Sequence, residues 1–293
     1  MKVIIAYDGS TYADAALDDL RRAGFPRDSE ILVASVADTS IGMPMPSEFD
    51  MVSAASRRLD AVIAQARQHE AQVLKETEAT AANAVDKIRQ QFPEWNVWAE
   101  VLRGDPAEEL LRSADEWNAD LIMGGSQGRS AIGRFFLGSV SKSVADRTAA
   151  AVRVARPGFE KPDSEPIEIV LGAKNPAEAE RLVEAVGRRV WPADARMRLV
   201  AVDDSVAAAG GIPAYYADGK SIYESAAERL TSVCLQVSVE IASGDPTTVF
   251  LKAADAWRAD AIFVAAGNTN QSRLDNTASA LVTRARCTVE IVR

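Results

Sequence analysis

The residues best placed to do chemistry are the glycines, arginines and serines of Met123–Ser141, which reads MGGSQGRSAIGRFFLGSVS. Gly125 and Gly128 are separated by two residues, and nine more lead to Gly138 followed by Ser139. Glycine lets main chain approach a ligand closely and adopts positive φ without steric cost. Successive backbone N–H groups in such a loop form an anion-binding concavity. A helix starting at Gly138–Ser139 adds unpaired donors and a partial positive charge. Arg129 and Arg134 lie inside the loop, and a guanidinium fork suits phosphate oxygens. The chemistry predicted is phosphate binding at the C-terminal end of a strand. Gln127, at a variable spot in the pattern, receives no role.

Other chemistries find little support. The glycine pattern is not G-x4-G-K-[ST], so the mechanics of P-loop nucleotide hydrolysis do not apply. No G-x-S-x-G elbow is present, and His69, the single histidine, sits in a charged helical run far from any nucleophile. Cys234 and Cys287 make neither a disulfide framework nor a metal cluster, and read as small, partly buried thiols. No catalytic residue and no metal site are assigned.

The phosphate loop needs elements that hold it. Val3–Tyr7 is an apolar run suited to a central parallel strand, ended by Asp8-Gly9-Ser10. Ser10 or Thr11 then caps a helix over Tyr12–Ala23, broken by Gly24-Phe25-Pro26. Ile31–Val36 is a second strand, and Asp38–Ser47, with IGMPMP at its centre, is a loop. Phe49–Phe92 carries apolar residues three and four apart, the mark of a long amphipathic helix. It reads as a cover helix in preference to one that projects onto a partner. Asn96–Leu102 (strand), Pro106–Trp117 (helix), Ala119–Gly124 (strand), a helix from Ser139 to Thr148 and Ala151–Ala155 (strand) complete an alternating α/β pattern.

Arg156–Pro166, rich in proline and charge, reads as a linker. The pattern then restarts with a strand at Ile167–Ala173, a helix from Asn175-Pro176 through Arg188, and a strand at Arg198–Val202. VLRGDPAEELLRSADEWNADLIMGG from Val101 matches IASGDPTTVFLKAADAWRADAIFVAA from Ile241, a shift of 140 residues that superposes Gly104-Asp105-Pro106 on Gly244-Asp245-Pro246 and Trp117 on Trp257. One α/β unit is written twice. The second copy does not keep the phosphate loop: Ala265 replaces Gly125, Asn268 replaces Gly128, and about three residues are missing before the helix. No glycine stands at the position of Gly138, acidic Asp275 lies nearby, and Ala173 or Lys174 replaces Asp8. A carboxylate repels a phosphate, so the second copy is read as degenerate, with Gly267, Asn268 and Asn270 able to form a polar turn.

The G-x2-G-x9-G-S arrangement, with the opening KVIIAYDGSTYADAALDDL, resembles the ATP-binding branch of the universal stress protein family. The resemblance spans both copies. It implies two tandem doubly wound five-stranded parallel-sheet domains, residues 1–156 and 166–293, each with strand order 3-2-1-4-5. It also implies that strands near Val152–Val154 and Val289–Val292 pair across a pseudo-twofold, making an intramolecular pseudo-dimer; a further homodimer stays open. By the same resemblance Asp8 lies beside adenine or ribose, the main chain of Val36 lies at the base edge, and Gly124, Gly125, Gly128, Arg129, Gly138, Ser139, Val140 and Ser141 hold ribose and phosphates. Asp8 has an alternative reading as a carboxylate that caps the next helix. The implied cofactor is ATP, with AMP or ADP left open and Mg²⁺ able to accompany ATP.

A net charge of −9 argues against broad nucleic-acid or membrane contact. The start, Met1-Lys2 running straight into a strand, has no leader pattern, and no apolar run has membrane-spanning length. A cytoplasmic, non-enzymatic regulator that binds adenine nucleotide and an unidentified protein partner is therefore expected. Its competitor is a nucleotide-independent scaffold built on the long helix. An adenylating or pyrophosphatase-type enzyme is disfavoured, because Asp8-Gly9-Ser10-Thr11 stands where that class has SGG-x-DS.

Overall fold

The computed structural model describes residues 1–37, 57–128, 137–158, 161–162, 164–202, 215–232, 236–267 and 274–293. The first half contributes β1 (Lys2–Ala6), α1 (Thr11–Asp19), β2 (Glu30–Ala37), α2 (Arg57–Gln91), β3 (Asn96–Arg103), α3 (Pro106–Trp117), β4 (Leu121–Gly125), α4 (Ser139–Arg147) and β5 (Ala151–Ala155). The second contributes β6 (Glu168–Ala173), α5 (Pro176–Gly187), β7 (Arg196–Val202), α6 (Tyr215–Glu228), β8 (Gln236–Ala242), α7 (Pro246–Trp257), β9 (Ala261–Ala265), α8 (Asn276–Arg284) and β10 (Thr288–Val292). The segment Asp38–Ser47 lies outside the described residues.

The ten strands make one sheet in the order β3-β2-β1-β4-β5-β10-β9-β6-β7-β8. Each half has the expected 3-2-1-4-5 order and is parallel throughout. The halves join where β5 and β10 run antiparallel, with Val154 opposite Val289, Arg153 opposite Glu290 and Val152 opposite Ile291. Two apolar strands that would otherwise be open edges thereby satisfy each other.

Duplication is visible in the caps as well as the strands. Asp105 and Asp245 are the N-caps of α3 and α7, accepting from Ala107 N (3.0 Å) and Thr248 N (2.8 Å), with proline at the first helical position of each. Both helices end in a left-handed residue, Asn118 (φ 52°) and Arg258 (φ 49°). Asparagine tolerates that conformation well and arginine less so.

Helices α3, α4, α7 and α8 cover one face, whose core runs unbroken through the junction from Ile4, Ile122 and Val152 to Ile291, Ile262 and Val170. The other face has two cores, one under α1 and α2 and one under α5 and α6. Helix α2 is only partly a cover helix. Ala81, Ala84, Val85 and Ile88 are buried, whereas Ile63 is 40% exposed. No residue from 63 to 76 is buried, so this part of α2 stands clear of the core.

A charge cluster is buried at the junction. Arg153, fully buried, donates to Asp19 (Nε–Oδ2 2.5 Å) and to Glu290 (Nη1–Oε2 2.9 Å). Arg189 donates to the other Glu290 oxygen and to the Ala23 carbonyl (2.7 Å), and Thr288 Oγ1 donates to Asp19 (3.0 Å). Such a cluster is tolerable only because each charge is met by an opposite one.

Candidate functional site

In an open α/β sheet the ligand crevice opens beyond the strand C-termini where the strand order reverses. Here that is between β1 and β4, paired Val3 to Leu121 through Ala6 to Gly124. The chain leaves β1 through Tyr7 and Asp8. Asp8 accepts the Ser10 amide (3.0 Å), and Ser10 in turn is the N-cap of α1, its side chain accepting from Ala13 N (3.2 Å). Asp8 therefore makes a local turn and leaves the cap itself to Ser10. Its other oxygen, Oδ2, lies 3.2 Å from where a Cβ on Gly128 would stand. Behind it, Tyr7 donates to Asp14 (2.8 Å), and burial together with that carboxylate pushes the phenol above its ordinary range.

Beyond β4 the chain folds back onto the start of α4. The Gly138 amide donates to the Ser126 carbonyl (2.9 Å), and Ser141 Oγ donates to the Gly125 carbonyl (2.9 Å). Gly138 is the N-cap of α4 and, lacking a side chain, offers no cap hydrogen bond. The first turn of a helix carries unpaired amides and a positive dipole end, and glycine at this cap places no carboxylate on them. A cavity of about 30 Å³, room for one water, lies beside Gly124, Gly125, Val140 and Ser141.

The glycines of the motif divide the work. A Cβ on Gly125 would stand 2.2 Å from the Tyr12 carbonyl oxygen and 2.4 Å from its carbon, so Gly125 admits the first turn of α1. Gly128 faces the Asp8 carboxylate, and a Cβ on Gly138 would meet only ordinary contacts with residues 126–128. The structure thus brings Asp8, Gly124, Gly125, Gly128, Gly138, Ser139, Val140 and Ser141 to one end of β1 and β4. Val36 lies near the end of β2, opposite Leu102. Arg129 and Arg134 lie outside the described residues. Gln127, given no role from sequence, is buried at 4% exposure beside fully buried Ser126.

The equivalent crevice of the second half is built differently. Register equates Val3 with Ile169 and Leu121 with Ala261, which places Lys174 where Asp8 stands. Asp275 is not merely near the helix: it is the N-cap of α8, the position Gly138 holds on α4, and accepts from Ala278 N (2.8 Å). Lys174 forms an ion pair with Asp275 and another with Glu178 (3.4 Å), while its amide donates to Glu178 (2.9 Å). Burial disfavours the Lys174 ammonium, but Asp275 and Glu178 outweigh it and hold its pKa above the usual lysine value. Asp275 also covers Gly267, its Oδ2 3.3 Å from where a Cβ would stand. Asn268 and Asn270 lie outside the described residues. The role of Asp275 was readable in the three-residue deletion, which slides the acid onto the cap.

Among the described residues no group of three or more His, Cys, Asp or Glu side chains could hold a metal ion. His69 is exposed and Cys287 is buried, its thiol pushed up to about 12 by burial; Cys234 lies outside the described residues. No described helix is long and apolar enough to cross a membrane. A cleft of about 690 Å³ is remote from this site, at the N-terminal ends of β1, β4 and β5.

Residues 1–156 match the model of the universal stress protein family. A universal stress protein of Methanocaldococcus jannaschii is 27% identical over 159 residues, covering 53% of this chain and 81% of that protein. Stress response protein NhaX of Bacillus subtilis is 26% identical over 163 residues, covering 53% of this chain and 97% of its own. In three dimensions the crystal structure of a universal stress protein from Archaeoglobus fulgidus covers 100% of this chain and 98% of its own, at 20% identity and a TM-score of 0.61. With more than half its length matched by the family model, the chain belongs to the universal stress protein family.

Proposed function

We propose that the chain is a non-enzymatic, cytoplasmic stress-response regulator whose first unit, residues 1–156, binds an adenine nucleotide, while the second, residues 166–293, serves as scaffold. The observation that carries this reading is the open N-cap of α4 at Gly138, folded against Ser126 and facing Asp8 across Gly128. Phosphates would sit on the amides of Ser139, Val140 and Ser141, where a helix N-terminus favours negative charge. The Asp8 carboxylate is an acceptor for ribose or base, and Val36 supplies main chain at the base edge. ATP is the nucleotide favoured; AMP and ADP would use the same residues with fewer phosphate contacts. Mg²⁺ would enter with the triphosphate.

Isothermal titration with ATP, ADP and AMP tests the reading. Saturable binding that Gly128→Val abolishes supports it, since the valine would intrude between the loop and Asp8. Absence of heat and of any thermal shift with all three nucleotides would leave the nucleotide-independent scaffold, which the unburied stretch 63–76 of α2 favours.

A further inference from the structure

The pseudo-twofold relating the halves creates two equivalent grooves, and among the described residues one of them is filled. Asp120 and Asp260 are equivalents: each takes an amide at the start of the neighbouring strand, Lys2 N (2.7 Å) and Glu168 N (2.8 Å), and each carbonyl accepts from the next strand, Ala151 N (3.1 Å) and Thr288 N (3.2 Å). Arg22 and Arg188 are equivalents too, each 19 residues past the paired positions Val3 and Ile169.

On the Asp260 side the groove holds the chain's own linker. Arg22 donates to Asp260 (Nε–Oδ1 2.5 Å) and to the carbonyls of Glu165 (3.2 Å) and Pro166 (2.8 Å). Lys161 reaches Asp260 (3.2 Å) and Glu168 (3.1 Å). Asp260 is left 4% exposed. On the other side Asp120 is exposed, and among the described residues no cation reaches it. Arg188 turns back to Glu184 on its own helix with its side chain 74% exposed. Between them lies the cleft of about 690 Å³, floored by alanines that include Ala119 and Ala150.

We propose that this cleft is a docking groove for an extended peptide segment of linker-like chemistry. Such a peptide carries a lysine that pairs with Asp120, and four or five residues further on presents backbone carbonyls to Arg188. The spacing is that of Lys161 to Glu165 and Pro166. Arg188 exchanges Glu184 for those acceptors, a charge-assisted contact with fork geometry. Lys2 replaces Glu168 here, but its ammonium turns away to the Trp117 carbonyl (3.2 Å) and ring, leaving Asp120 to meet the peptide's cation.

The probe is a synthetic peptide of the linker sequence, RPGFEKPDSEPI, titrated into the whole chain and followed by amide NMR. Saturable shifts centred on Ala119, Asp120 and Ala149–Ala151 are expected. Arg188→Ala, an exposed substitution that leaves the fold alone, should weaken binding about tenfold, and a peptide with alanine for its lysine should bind no better. The proposal is overturned by no saturable shift at millimolar peptide, by binding indifferent to Arg188→Ala, or by shifts centred on Arg22 and Asp260, which would mean exchange with the resident linker.

Discussion

Lys174 and Asp275 form an ion pair across the mouth of the second crevice, at the positions that Asp8 and Gly138 hold in the first. One fold thus carries two versions of the same cap. With glycine at the cap, the helix dipole and first-turn amides face outward; with aspartate, the protein supplies its own anion.

Transplanting that cap should close the first site. Gly138 has ordinary φ, and its Cβ would meet neighbours no nearer than 3.4 Å, so Gly138→Asp is compatible with the fold. The expected outcome is unchanged or slightly raised Tm with nucleotide affinity reduced at least about a hundredfold, since a carboxylate on the cap repels phosphate and takes its donors. Calorimetry and circular dichroism on the same sample separate the two effects.

Two glycines three positions apart should fail differently. Gly125→Ala places a methyl on the Tyr12 backbone, which cannot yield without moving α1, and is expected to cost about 3 kcal/mol or more in chemical denaturation. Gly128→Ala meets only the end of the Asp8 side chain at 3.2 Å, so folding should survive while nucleotide affinity falls.

Much of this was legible in the chain. The shift between Gly104-Asp105-Pro106 and Gly244-Asp245-Pro246 gave the duplication, because an aspartate cap followed by proline specifies a helix start in both copies. The pairing of β5 with β10 followed from the family resemblance. Other features were not legible. Arg153 and Glu290 sit in the middle of short, otherwise largely apolar strands, and only the register that sets them opposite each other explains two buried charges. Gly125 looks like a ligand glycine until the Tyr12 backbone is seen against it. Helix α6 went unpredicted, and α2 looked like a cover helix throughout because its apolar spacing continues past the edge of the sheet.

The buried cluster makes a sharp stability prediction. Glu290, 1% exposed, serves Arg153 and Arg189 together, so Glu290→Ala leaves the buried Arg189 guanidinium without a carboxylate and Arg153 with Asp19 alone. A loss of about 3–5 kcal/mol is expected by urea titration. Loss below about 1 kcal/mol would mean that water replaces the carboxylate.

Cys287 gives a pH signature. Its thiol is pushed up to about 12 in the folded chain by burial, above the roughly 8.5 of an unfolded cysteine. The neutral thiol thus contributes stability in full below about pH 8.5, and that contribution is lost as pH rises toward the folded value. Tm should fall between pH 8 and 10.5, less steeply in Cys287→Ala, and iodoacetamide should modify Cys287 only at the rate of unfolding.

The most direct measurement is the stoichiometry of ATP on the whole chain, by calorimetry and native mass spectrometry, for the unsubstituted protein and for Gly138→Asp. One nucleotide per chain, falling to none in Gly138→Asp, is the predicted result. Two per chain, or one that survives Gly138→Asp, would contradict the assignment of the site to the open cap of α4.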